Sequence, residues 1–168
     1  MAVAPPPDPP AIIGQASVID GDTIEIHGQR IRLWGIDAPE SGQTCERGGE
    51  TYRCGQQAAL RLARDIDGQV VTCVPHGRRD RYRRIVAKCS INMVSESEWE
   101  RVDVPVDLAA GLVVVGWAVD FPRYSGGEYA DEEAMARESR NGLHAGTFTA
   151  PWEWRGLPRP QRPARTGS

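Results

Sequence analysis

A chain of 168 residues and 18.4 kDa can build one domain with a substantial core, but not two of comparable size. Its 40% hydrophobic and 26% charged content is ordinary for a globular protein, and no run approaches the roughly 20 apolar residues of a membrane-spanning helix. A net charge of −3 and a pI of about 5.6 exclude a generic polyanion coat, so any work on an anionic polymer falls to a local site.

Residues 1–12 form a proline-rich leader, beginning MAVAPPPDPP, that suits neither helix nor ladder. It has neither the basic nor the apolar region of a signal peptide, and reads as a mature chain with its signal removed and an initiator Met supplied. The folded domain is expected over 13–155. Ser17 to Ile26 is rich in β-branched residues and reads as a strand. A turn at His27-Gly28-Gln29-Arg30 leads to a second strand, Ile31 to Ile36. Gln56 to Asp65 places Ala58, Ala59, Leu62 and Ala63 at helical spacing. Val70 to Pro75 and Ile85 to Asn92 are strands flanking the polar turn GRRDRYRR. Asp107 suits an N-cap, and Leu108 to Val115 fits a buried helix or a strand. Tyr129 to Ser139 is a charged helix that Asn141-Gly142 ends. The Pro- and Arg-rich residues 156–168 read as a disordered tail. Short strands first and helices later imply an α+β or barrel architecture.

Pairing Ile26 with Ile31 across the first turn sets Asp22 opposite Gly35 and Asp20 opposite Asp37, gathering three carboxylates at one end of a ribbon. Like charges across a ladder repel, and a hard cation that takes carboxylate and carbonyl oxygens relieves them. The plain alternative is a solvated acidic turn, since DGD is a common turn sequence. Arg32 lies five residues before Asp37, on the opposite face by strict alternation. The two share a site if the strand bends, and Gly35 is where bending is cheap. Pro39 then ends the strand and delivers Glu40 beyond it, where a carboxylate can act as base on a metal-bound water.

The four cysteines allow three connectivities and have no zinc-site spacing. Facing Cys73 to Cys89 across the second hairpin puts its tip at Arg81 and favours the pairs Cys45–Cys54 and Cys73–Cys89. Such a framework implies a secreted or periplasmic chain; four free thiols in a cytosolic chain are the alternative. The tip gathers Arg78, Arg79, Arg81, Arg83 and Arg84 around Asp80 and Tyr82, five arginines in seven positions. On an acidic protein this is a local phosphate-binding signal, against the alternative of a solvated turn. The apolar run GLVVVGWAV is assigned to the core of a monomer, with a dimer contact at Val114 or Val115 as the alternative. His27, His76 and His144 are read as structural or surface residues. Trp152 and Trp154 are read as anchors of the C-terminal segment.

The segments VIDGDTIEI, IRLWGIDAPES, DRYRRIVAKC and GLHAGTFTAPWEW, in that order, resemble the staphylococcal nuclease family over about residues 16–154. The resemblance implies an α+β fold, a five-stranded OB-fold β-barrel with about three α-helices. It implies Ca²⁺ as cofactor, held by Asp22, Asp37 and the Ala38 carbonyl, with Asp20 just behind them. Glu40 matches the residue that sets up the attacking water, and Arg32 and Arg84 match the two arginines that grip the phosphate. Arg81 and Tyr82 match contacts to a terminal phosphate, and Phe121 and Tyr124 lie where the nucleotide stacks. The implied activity is endonucleolytic hydrolysis of DNA and RNA, single strands preferred, leaving 3′-phosphates. An inactive OB-type nucleic-acid-binding module is the alternative, but it would be expected to have lost one of the five key side chains. Arg83 and Phe121 depart from the family, standing where glycine and tyrosine are usual.

Overall fold

The structure, a computed structural model, describes residues 2–96 and 100–158. The expected tail therefore lies mostly outside the described residues. Three strands open the chain: β1 (Ile12–Asp20), β2 (Thr23–Ile26) and β3 (Gln29–Leu33). Two short ones follow Gly35: β4 (Ile36–Asp37) and, further on, β5 (Cys45–Arg47), which pairs with β6 (Glu50–Tyr52). Helix α1 (Cys54–Ile66) precedes β7 (Val70–Pro75), β8 (Ile85–Glu96) and β9 (Arg101–Asp107). The C-terminal third carries α2 (Leu108–Val114), β10 (Val119–Asp120), α3 (Pro122–Ser125), α4 (Ala130–Glu138), a 3₁₀ turn at Gly142–Ala145 and α5 (Pro151–Gly156).

β3, β2, β1, β7 and β8 pair in that order, and a parallel contact of β3 with β8, Ile31 against Ile85, closes them into a five-stranded barrel. This is an α+β fold of the OB type. β9 extends the sheet from β8. The barrel is filled by alternate side chains: Ile24, Ile26, Ile31, Leu33, Val71 and Ala87 are buried to within 1% of completely. Ala58, Leu62 and Ile66 bring the apolar face of α1 onto this core, and Leu112 and Val113 do the same for α2. The ambiguous Leu108 to Val115 run is thus a helix, capped by the Asp107 carboxylate accepting the Ala109 N–H at 2.8 Å. Among the described residues no helix is long and apolar enough to cross a membrane.

The first hairpin corrects the expected register. His27 and Gly28 both take positive φ, 51° and 74°, as the two-residue turns that match strand twist require. Ile26 therefore pairs with Gln29, Ile24 with Ile31, and Thr23 with Arg32, a shift of two residues from the expected pairing. The long first strand is also broken at Gly21-Asp22, so Asp20 pairs with Thr23 and not with Asp37. Asp37 pairs with Val119 instead. The second hairpin has Cys73 directly opposite Cys89, and these two form one disulfide, with Cα atoms 4.1 Å apart. Cys45–Cys54 is the other, fixing β5 to the start of α1. Each disulfide stabilises by about 2–4 kcal/mol, largely by restricting the unfolded chain.

Leu143 packs with the Cys45–Cys54 pair, and the neighbouring His144 ring stands edge-on to Phe148. His144 Nε2 is buried without a hydrogen-bond partner among the described residues, and burial, followed by the charge of Arg137, holds the imidazole below its ordinary pKa. The unfolded chain thus takes up a proton at a higher pH than the folded one, and stability present above about pH 6.5 is lost as pH falls below it. His144→Gln should flatten the urea-denaturation midpoint between about pH 7 and 5 relative to wild type. An unchanged pH slope would contradict this.

Candidate active site

The turn between β1 and β2 carries the first carboxylates. The Asp22 N–H donates to Asp20 Oδ1 at 3.1 Å, which fixes the turn. The Asp22 carboxylate accepts the Ala38 N–H at 2.9 Å and the Thr23 hydroxyl at 3.1 Å, so it ties the turn to the segment after β4. Gly35, at φ 78°, supplies the bend between β3 and β4, and a Cβ there would press on the Tyr129 ring. That bend brings Arg32 and Asp37 together: Arg32 Nη2 lies 3.0 Å from Asp37 Oδ1 and 3.6 Å from Asp22 Oδ2. Arg32 Nη1 also donates to the Ile36 carbonyl at 3.0 Å. The local twist of one strand thus converts an opposite-face pair into neighbours.

Asp37 is fully buried and has a second guanidinium, from the other end of the chain. Arg155 of α5 reaches Asp37 Oδ2 at 2.7 Å and Oδ1 at 3.0 Å, and its Nη1 also reaches Glu40 Oε1 at 2.7 Å. Nothing in the sequence singled out Arg155, which sits beside the Pro- and Arg-rich end of the chain. Glu40 lies on a loop closed by the Gln43 N–H on the Glu40 carbonyl at 2.7 Å. The buried Gln43 side chain accepts the Glu40 N–H at 3.1 Å. A Cβ at Gly55 would collide with the Glu40 carbonyl, so the first turn of α1 is the floor of this loop.

The arginine-rich tip is organised by Asp80. Its carboxylate accepts the backbone N–H groups of Tyr82 and Arg84, both at 2.9 Å, and Arg84 Nε at 2.7 Å. Arg84 Nη1 then donates to Thr23 Oγ1 at 3.2 Å, which links the tip to the acidic turn. Arg83, standing where glycine is usual in the family it resembles, takes the left-handed conformation at φ 64° that glycine would favour there. The backbone path is kept at the cost of strain. Arg81 donates to the Tyr82 hydroxyl at 2.7 Å, and Tyr82 is exposed.

These groups line one cleft of about 1030 Å³ that includes Asp22, Arg32, Glu40 and Arg84. Phe121, Tyr124 and Trp152 line it too. Phe121 stacks on Trp152, with centroids 5.0 Å apart and planes at 6°, and meets Tyr124 edge-on at 4.9 Å. Trp154 is buried and anchors α5 as expected, whereas Trp152 belongs to the cleft.

Four carboxylates, Asp20, Asp22, Asp37 and Glu40, stand here against the guanidiniums of Arg32 and Arg155. Burial, with the charge of Asp22, pushes Asp20 up to about 7. Burial works against ionisation of Asp22 as well, but Arg32 and the Ala38 N–H hold its carboxyl below the ordinary value. Oxygens of Asp22 and Asp37 converge on a single Arg32 nitrogen, so the two buried carboxylates approach closely enough to share one cation. An all-oxygen, negatively charged donor set fits Ca²⁺, whose shell carbonyls and water complete. Among the described residues no three Asp, Glu, His or Cys side chains form a cage on their own. The side chains suited to holding such an ion are those of Asp22 and Asp37.

The profile of the family described as "Staphylococcal nuclease homologue" matches residues 30–145. The chain belongs to the staphylococcal nuclease family. The match spans Arg32, Asp37, Glu40 and Arg84; Asp20, Asp22 and Arg155 lie outside it. The chain is 38% identical over 158 residues to the succinoglycan biosynthesis protein ExoI of Rhizobium meliloti (strain 1021), across 93% of this chain and 71% of that protein. It is 30% identical over 109 residues to a probable endonuclease, LCL3, of Candida dubliniensis, across 64% of this chain and 41% of that protein. It is 32% identical over 127 residues to a probable staphylococcal-like nuclease, CAN4, of Oryza sativa subsp. japonica, across 74% and 21%. The chain thus spans less than half of the two nuclease-named relatives.

Two substitutions probe the scaffold of this site. Gly55→Ala should displace the Glu40 loop and cut activity at least tenfold while α1 stays helical, read by turnover and far-ultraviolet circular dichroism. Arg83→Gly should relieve the left-handed strain, raising stability by up to about 1 kcal/mol in urea titration with Arg84 still clamped by Asp80.

Proposed function

We propose that the protein is a calcium-dependent nuclease that hydrolyses phosphodiester bonds of DNA and RNA, single strands in preference. The observation that carries this reading is the convergence of Asp22, Arg32, Glu40 and Arg84 on one cleft, with Asp37 buried behind Arg32. Membership of the nuclease family and the nuclease-named relatives support it.

The roles follow from the chemistry of each group. A phosphodiester brings negative charge that grows in the transition state, and guanidinium forks match its oxygens in pairs. Arg32 and Arg84 are suited to that grip; each is held by a carboxylate, so its orientation is set before substrate arrives. Glu40, a partly exposed carboxylate on the cleft wall, is the group suited to take a proton from the attacking water. Ca²⁺, when bound by Asp22, Asp37 and the Ala38 carbonyl, supplies positive charge beside the scissile phosphate. Arg81 and Tyr82 at the exposed tip suit a terminal phosphate, and Tyr124 with the Phe121–Trp152 stack offers π-faces to unstacked bases. Bases are available in this way in single strands. By the family's pattern the 5′ P–O bond breaks and 3′-phosphates remain.

Two disulfides form in an oxidising compartment, and on that ground the protein acts outside the cytoplasm, in the periplasm or the medium.

The decisive test is degradation of single-stranded DNA and RNA in Ca²⁺, in EGTA, and by Glu40→Gln. The expected result is turnover in Ca²⁺, none in EGTA, and a fall of about 10²- to 10⁴-fold in kcat for the variant. Full activity in EGTA would sink the calcium mechanism, and inertness of the wild type on every nucleic acid would favour a binding module.

A further inference from the structure

Glu40 sits on a loop with no strand or helix of its own, yet a general base has to be held to within a fraction of an ångström. Its supports come from the far end of the chain. The 147–155 segment docks on the loop at three levels. At the base, Thr147 and Glu46 exchange backbone hydrogen bonds, at 3.0 and 2.9 Å. One step on, the Thr149 carbonyl accepts Gln43 Nε2 at 2.7 Å, and the same Gln43 side chain accepts the Glu40 N–H. At the top, Arg155 bridges Glu40 Oε1 and both oxygens of the buried Asp37. α5 can serve as a fixed mount because Pro151 and Trp154 are buried and Trp152 is stacked on Phe121.

We propose that Arg155 is a positioning residue for Glu40, tying the carboxylate that activates water to the buried Asp37 through one guanidinium. This rests on the nuclease reading above and adds to it a residue beyond the matched family segment. One nitrogen, Nη1, contacts both carboxylates, so the separation and orientation of Glu40 relative to Asp37 are set by a rigid planar group. A lysine, with a single flexible ammonium, reproduces the charge but not the fork.

The test is kinetic and structural together. Arg155→Gln should lower kcat by about tenfold to a hundredfold with KM near wild type, because orientation is lost and not substrate binding. Arg155→Lys should recover part of that loss. In a Glu40→Gln background, Arg155→Gln should cost almost nothing further, since Arg155 acts through Glu40; a full additional loss would assign it another role and overturn the proposal. In the metal-free protein, hydrogen exchange at the Glu40 and Gln43 amides should quicken in Arg155→Gln while barrel amides stay protected. That readout does not depend on turnover and also exposes a variant that has simply unfolded. Tighter Ca²⁺ binding with undiminished kcat in Arg155→Gln would overturn the proposal in favour of a guanidinium that competes with the cation. A wild type active in Ca²⁺ with an unaffected variant removes this inference alone, whereas a wild type inert on all nucleic acids removes the nuclease reading and this inference with it.

Discussion

Asp37 has no exposed surface, and a carboxylate so placed has to be matched by cations or lose its charge. Burial, helped by the charge of Asp22, holds its carboxyl above the ordinary value, and the arginines, Arg155 foremost, oppose that rise. Meeting this requirement dictates much of the architecture around it. The chain bends at Gly35 to bring Arg32 to Asp37, and α5 returns to bring Arg155 to it. The same two guanidiniums then extend to Asp22 and to Glu40, so compensating one buried charge assembles the other groups of the cleft.

A second carboxylate does comparable work on the basic side. Asp80 lies among five arginines, but it is not there simply to dilute their charge: it closes the tip on itself through two backbone N–H groups and holds the Arg84 side chain. Thr23 stands between the two halves, donating to Asp22 and accepting from Arg84. An acidic protein thereby presents a basic face to an anionic substrate without a basic surface overall.

How much of this was legible in the sequence varies by element and for definite reasons. The strand at Val70 to Pro75 and the Cys73–Cys89 pairing follow from alternation and opposed cysteines, both local signals. The sequence puts the first hairpin two residues out of register because HGQR suggests a four-residue turn where His27 and Gly28 make a two-residue one; positive φ is uncommon outside glycine, although histidine is among the residues that tolerate it. The meeting of Arg32 with Asp37 is legible only as conditional on a bend at Gly35, and the chain bends there. Arg155 was invisible: it is 118 positions from Asp37, and no periodicity or spacing rule reaches across that distance. Gln43 carries no clearer signal, since its bond to the Thr149 carbonyl forms only when the C-terminal segment docks.

The parallel closure of β3 on β8 and the return of α5 both join residues far apart in the chain, and ribosomes deliver residues in order. A nascent chain extended only through β9 has every strand the barrel needs, yet it holds Asp37 with one guanidinium instead of two and leaves Gln43 without the Thr149 carbonyl. Fold and cleft therefore mature at different times: the barrel becomes possible once β8 has emerged, while the carboxylate cluster takes its final form only once α5 has followed it.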